Sequence, residues 1–124
     1  MDGKKIRVLV VDGEKIIRDF LVRFFAFEGV EASTAQDGPA AIEMAHRENF
    51  DIIFIDIRMP KVDGYGVFKE LKKIIPEAKC VMMTGYAVDD VLTLAHEAGA
   101  AAVLKKPFEI EHIRNLIESV RKAA

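Results

Sequence analysis

Apolar residues along this chain gather into short runs at positions 6–11, 30–34, 51–55, 80–83 and 102–104, nearly unbroken in all but 30–34. Runs of this length with little polar alternation predict strands buried on both faces. The stretches between them carry apolar residues at helical spacing instead. The first has Ile17, Phe20, Leu21 and Phe24, closed by Gly29. The second opens at Asp37-Gly38-Pro39, where a capping acid and an early proline suit a helix start, and continues through Ile42 and Ala45. The third follows Asp63-Gly64 with Val67, Phe68, Leu71 and Ile75, until Pro76 stops it. A fourth has Val88, Val91, Leu92 and Ala95, with Gly99 placed to end it in a left-handed turn. The last has Ile110, Ile113, Ile117 and Val120 on one face.

Five strands alternating with five helices predict an α/β domain whose parallel sheet is covered on both faces. No composition shift, repeat or low-complexity tract divides the chain, so residues 1–124 are expected to form a single domain. For a domain this small the natural architecture is a doubly wound, flavodoxin-like (βα)5 sheet of order 2-1-3-4-5. Ligands then bind at the carboxyl ends of the strands, near the switch point between strands 1 and 3.

Two segments give that edge its chemistry. In "VLVVDGEK" the first apolar run ends in Asp12, and in "IIFIDIRMP" the third ends in Asp56. Neighbouring carboxylates repel, so a site that keeps both ionised needs a cation or a shared proton. Oxygen ligands and open positions suit Mg²⁺, which commonly bridges one or two carboxylates to a phosphate. Thr84 follows "VMM" and Lys106 follows "AAVLK" at the ends of the last two strands. An acid pair, a hydroxyl and a lysine at one sheet edge describe a phosphoryl-transfer site. Asp56 would be the nucleophile, with Thr84 and Lys106 holding the transferred oxygens. Each residue also has a plainer role: Asp12 and Glu14 as helix caps, Asp56 as a turn acid, Thr84 and Lys106 as loop residues. Four strand ends carrying complementary chemistry favour the functional reading.

Composition removes other classes. The 18 basic and 20 acidic residues leave a net charge of −2, too weak a field to favour nucleic acid or an anionic membrane. Hydrophobic content of 51% with 31% charged residues reads as a soluble globular protein. The apolar runs are far shorter than a membrane span, the start lacks the apolar core of a signal peptide, and a cytoplasmic location is expected. The single cysteine, Cys80, has apolar neighbours and reads as a buried structural thiol. His46, His96 and His112 lie in helical segments without metal-ligand spacing and read as surface residues. A flavin-binding protein would want a glycine- and hydroxyl-rich phosphate cradle where Asp12 and Glu14 stand. A phosphatase built on an aspartyl nucleophile would want a second acid two residues on, where the chain has Arg58.

The chain resembles the receiver domain of two-component response regulators, the family of the chemotaxis regulator. The resemblance rests on "VLVVDGEK", "DIIFIDIRMPKVDGYGVFKEL", "VMMTGYA" and "GAAAVLKKPF", in the family's order and spacing. It implies that Asp56 is the phosphoacceptor, Thr84 the switch hydroxyl and Lys106 the phosphate-contacting lysine, with Lys105 uninvolved. Asp12, Asp56 and the main-chain carbonyl of Arg58 would serve Mg²⁺. A cis bond is implied before Pro107, and Met59-Pro60 with Asp63-Gly64 match the family's turn after strand 3. The function implied is phosphorelay signalling rather than enzyme catalysis. A sensor histidine kinase or histidine phosphotransfer protein would supply the phosphoryl group, and a downstream effector would read it. No DNA-binding module follows Ala124, which fits a stand-alone receiver or an excised domain.

Two positions depart from the family's pattern. Gly13 stands where the family has the second acid of a pair, the direct metal ligand, so weak Mg²⁺ binding is expected, with Glu14 a possible substitute. Val103 stands where an aromatic residue often rotates on activation. Gly13 keeps open an alternative, a pseudo-receiver that binds partners without being phosphorylated. Arg58 and Tyr86, each two residues past a site residue, are placed to screen a phosphoryl group from water. The first helix carries Ile16, Ile17, Phe20, Leu21, Phe24, Phe25 and Phe27. That apolar arc is wider than the ~100° stripe of a surface helix. One edge, including Ile16, is expected to stay exposed for a partner.

Overall fold

The computed structural model describes residues 5–59, 62–85 and 99–123. Along the chain these form β1 (Arg7–Val11), α1 (Lys15–Phe27), β2 (Glu31–Ala35), α2 (Gly38–Arg47) and β3 (Ile52–Asp56). Then come β4 (Arg58–Met59), β5 (Val62–Asp63), α3 (Gly64–Ile74), β6 (Lys79–Thr84), β7 (Ala102–Lys105) and α4 (Ile110–Ala123). Val88, Val91, Leu92 and Ala95, expected to form a further helix, lie outside the described residues, as do Tyr86 and His96.

Five strands pair in parallel in the order β2-β1-β3-β6-β7, which is 2-1-3-4-5 counting the strands of this sheet alone. The unbroken apolar runs follow from what covers the sheet. On one face Leu9, Val11, Ile53, Ile55, Cys80 and Met82 pack with Ala41 and Ala45 of α2 and Phe68 and Leu71 of α3. On the other, Val8, Val10, Phe54 and Met83 meet Leu21 and Phe25 of α1 and Ile113 and Ile117 of α4. Alternate residues of the same strand therefore both need to be apolar. Each fully buried large side chain contributes roughly 1.5–3 kcal/mol relative to exposure.

Local signals set the helix ends. The Asp37 side chain accepts from the Ala40 N–H at 2.9 Å, and Pro39 sits in the first turn of α2. At the end of α1, Gly29 takes φ +75, its N–H reaching the Ala26 carbonyl at 3.1 Å. The Val30 N–H reaches the Phe25 carbonyl at 2.8 Å, completing a Schellman stop. Gly99 also has a positive φ, +87.

One element is additional to those expected. Arg58 pairs with Asp63 and Met59 with Val62 as a two-residue antiparallel ribbon. A ladder that short has no room for a periodic pattern, so nothing in the hydrophobic sequence announces it.

Candidate functional site

Register brings the acids together. Val11 is paired with Ile55, so Asp12 and Asp56 leave their strands side by side; Asp56 is in turn opposite Met83, the residue before Thr84. Thr84 pairs with Lys105, and the Lys106 N–H donates to the Thr84 carbonyl at 2.7 Å. Among the described residues, the buried polar or charged side chains are Asp12, Asp56 and Thr84. All three stand at carboxyl ends of adjacent strands. Burying polar groups is costly unless something satisfies them, so their confinement to this edge makes it the candidate site.

Asp12 is fully buried and its polar atoms can be accounted for one by one. Its N–H donates to the Ala35 carbonyl at 3.1 Å, and its own carbonyl accepts from Arg18 Nη1 at 2.8 Å. Oδ1 accepts the Glu14 N–H at 2.8 Å. Oδ2 receives no well-aligned hydrogen bond, yet it lies 2.8 Å from Lys106 Nζ as an ion contact. The same ammonium is 3.2 Å from Asp56 Oδ2 and 3.5 Å from Glu14 Oε1. Burial alone would lower the Lys106 pKa; the close contact and charge of Asp12, followed by the charge and hydrogen bond of Asp56, outweigh it. The net effect holds Lys106 above its ordinary 10.5. The peptide bond from Lys106 to Pro107 is cis. Lys105, by contrast, is exposed.

The structure therefore brings together Asp12, Asp56, Lys106 and the rim acid Glu14, with Thr84 on the neighbouring strand end. Glu14 stands at the N-cap position of α1 but its side chain makes no capping bond; it reaches toward Lys106 instead. The Arg58 backbone lies in β4, two residues past Asp56, and its side chain is outside the described residues. No set of three acid, histidine or cysteine side chains among the described residues is grouped to hold a metal. Glu14, at the rim, has its carboxylate 3.5 Å from Lys106 Nζ. What remains fits Mg²⁺: two carboxylates with the rest of its shell from water or carbonyl oxygen is its ordinary habit. The buried Asp12 Oδ2, which among the described residues faces the Lys106 ammonium, is an oxygen able to meet a cation.

Arg18 is a site residue that the sequence reading passed over. One signal was present: the first turn of α1 holds no acid, while Lys15 and Arg18 sit near the end where the helix dipole disfavours cations. A base placed there needs another partner, and Arg18 has one in the Asp12 carbonyl.

A parallel (βα) sheet of this order, with buried acids at its switch point, defines a receiver-type site. The profile of the response regulator receiver domain matches residues 8–118, and the chain belongs to that family. It is 30% identical over 112 residues to sporulation initiation phosphotransferase F of Bacillus subtilis (strain 168), covering 90% of each chain. It spans 46% and 48% of the lengths of two further curated relatives. Chemotaxis protein CheY4 of Vibrio cholerae is similar in structure, with TM-score 0.87 and 27% identity over 94% of this chain and 99% of that one. A response regulator from Burkholderia pseudomallei, solved with a phosphorylated aspartic acid, calcium ion and citrate, has TM-score 0.83 and 26% identity. That similarity covers 97% of this chain and 74% of the other.

Proposed function

We propose that this chain forms one receiver domain that takes a phosphoryl group from a phosphohistidine onto Asp56. The donor is a cytoplasmic sensor kinase or histidine phosphotransfer protein, and the phosphorylated domain engages an effector protein. The observation that carries the reading is the single Lys106 ammonium held between Asp12 and Asp56 at the carboxyl edge of the sheet. A carboxylate oxygen of Asp56 attacks phosphorus while the phosphorus–nitrogen bond to the donor imidazole breaks, its electron pair returning to that nitrogen. The product is an acyl phosphate, and this chain is the acceptor rather than an enzyme acting on a released substrate.

Three groups of the chain serve that transfer. Lys106 turns its ammonium from the acids to a phosphoryl oxygen, forming a charge-assisted hydrogen bond. The Thr84 hydroxyl donates to a second oxygen. Asp12, with Asp56 and the Arg58 carbonyl, would hold Mg²⁺. When bound, that ion supplies positive charge against the phosphoryl oxygens as they approach the acids.

Intact-protein mass spectrometry after incubation with acetyl phosphate and Mg²⁺ tests the reading. The expected result is an acid-labile phosphoryl mass increase in the wild type that Asp56→Asn abolishes. An increase that persists in Asp56→Asn refutes the acceptor assignment. No increase in the wild type, from acetyl phosphate or a phosphorylated kinase, leaves the pseudo-receiver reading that Gly13 keeps open.

A further inference from the structure

Asp12 is held through its backbone and through one carboxylate oxygen. Its amide, its carbonyl and Oδ1 each have a partner, at 3.1, 2.8 and 2.8 Å, so the one oxygen left over is Oδ2. Of those partners, Ala35 and Glu14 contribute backbone groups that any residue would supply. Only the Arg18 guanidinium depends on the identity of a side chain. It reaches from the first turn of α1 back across Gly13 to the strand end, closing the turn that carries the carboxylate.

We propose that Arg18 is a positioning residue that holds Asp12 with Oδ2 turned into the acid site, and so sets the affinity of that site for a divalent cation. The inference rests on the reading of Asp12 as a cation ligand. Gly13 makes the constraint matter more, because the site lacks the family's usual second acid after β1 and leans harder on Asp12. Arg18 acts from outside the ligand shell, through the Asp12 backbone. Removing outer partners of this kind commonly costs about 10–100-fold in metal affinity.

The sign of the effect separates positioning from simple electrostatics. A guanidinium beside an anionic site repels a cation, so deleting it should tighten Mg²⁺ binding if charge were its whole contribution. Loss of position weakens binding instead. Arg18→Lys keeps the charge and one donor for the carbonyl, and is the conservative variant expected to restore most of the affinity.

The test is an amide NMR titration of wild type, Arg18→Ala and Arg18→Lys with Mg²⁺, together with hydrogen exchange at the Glu14 amide without metal. The expected result is Mg²⁺ affinity about tenfold or more weaker in Arg18→Ala, with faster exchange at Glu14 and both largely recovered in Arg18→Lys. Arg18 is partly exposed, so Arg18→Ala is expected to fold; if it does not, Arg18→Met, which keeps an unbranched stem but has no donor for the Asp12 carbonyl, takes its place with the same expected and overturning results. Unchanged or tighter Mg²⁺ binding in Arg18→Ala overturns the proposal. If wild type itself binds no Mg²⁺, the cation reading of Asp12 fails separately. The Glu14 exchange then judges Arg18 alone: faster exchange in Arg18→Ala upholds the positioning, and unchanged exchange overturns it.

Discussion

Lys106 Nζ lies 2.8 Å from Asp12 Oδ2 and 3.2 Å from Asp56 Oδ2, nearer to the acid that ends β1 than to the proposed acceptor. Without metal, this ammonium is the positive charge that lets two buried carboxylates share one edge. Lys106→Met should therefore destabilise the metal-free protein by about 1–3 kcal/mol, the usual cost of leaving buried polar groups unpaired. The same change should tighten Mg²⁺ binding, since cation and ammonium compete for Asp12 Oδ2. Urea unfolding with and without Mg²⁺ checks both, and a variant that gains nothing from Mg²⁺ beyond the wild type contradicts the competition.

The pH dependence has a definite sign. The folded pKa of Lys106 is raised above 10.5 by Asp12 and Asp56, against the opposing effect of burial. Its stabilising contribution is accordingly complete below 10.5 and lost as pH rises through the folded value. Wild type should lose stability more steeply than Lys106→Met as pH rises above 10.5. Parallel curves from denaturant melts across that window would assign the alkaline loss to other groups.

Cys80 should be chemically silent in the native state. It is 1% exposed, and burial pushes its thiol up to about 11, with only a small opposing effect from Lys72. The thiolate is the reactive form, so alkylation at neutral pH should wait for opening of the sheet. Timed labelling by iodoacetamide in native buffer and in urea measures this; fast labelling of the native protein would contradict the burial.

Ile16 is 75% exposed on α1 and Phe20 is 43% exposed one turn on, its ring 6.4 Å from that of Phe24. Leu21 and Phe25 supply the buried face of the same helix. Truncating Ile16 should thus change stability by no more than about 0.5 kcal/mol, as surface substitutions usually do. Ile16→Ala should nevertheless slow transfer from the cognate kinase while leaving phosphorylation by acetyl phosphate intact. Equal loss with both donors would place Ile16 in the chemistry rather than in docking.

What the sequence disclosed was whatever depends on periodicity and on strand ends. Continuous runs such as residues 52–55 required helices on both faces, and the register of β1 on β3 then placed Asp12 beside Asp56. The cap at Asp37, the end of the first helix at Gly29 and the left-handed turn at Gly99 were likewise legible, because each answers a local backbone demand. The ribbon of β4 and β5 was not, being shorter than any period. Nor was the contact of Arg18 with the Asp12 carbonyl, which depends on the path of one turn rather than on pattern. Lys106 was placed at the correct edge. Its seat against Asp12 depends on three-dimensional proximity that no spacing encodes.

Gly13 gives the sharpest remaining test. Among the described residues the positive-φ glycines are Gly29 and Gly99, so no left-handed backbone requires glycine at position 13. The residue is exposed beside the acid site, and an aspartate there would add the carboxylate that the family's pattern has and this chain lacks. A gained ligand should tighten Mg²⁺ binding at least about tenfold, judging from what even outer partners contribute. It should also speed phosphorylation at limiting metal. The added charge should repel Asp12 and Asp56 in the metal-free state, lowering stability slightly, with Lys106 offsetting part of the cost. Titrating wild type, Gly13→Asp and Glu14→Gln with Mg²⁺ separates this account from its rival. In the rival, Glu14, now 3.5 Å from Lys106 Nζ, turns to the ion and replaces the missing acid. If Gly13→Asp leaves the affinity unchanged while Glu14→Gln abolishes it, Glu14 is the ligand and the glycine carries no deficit.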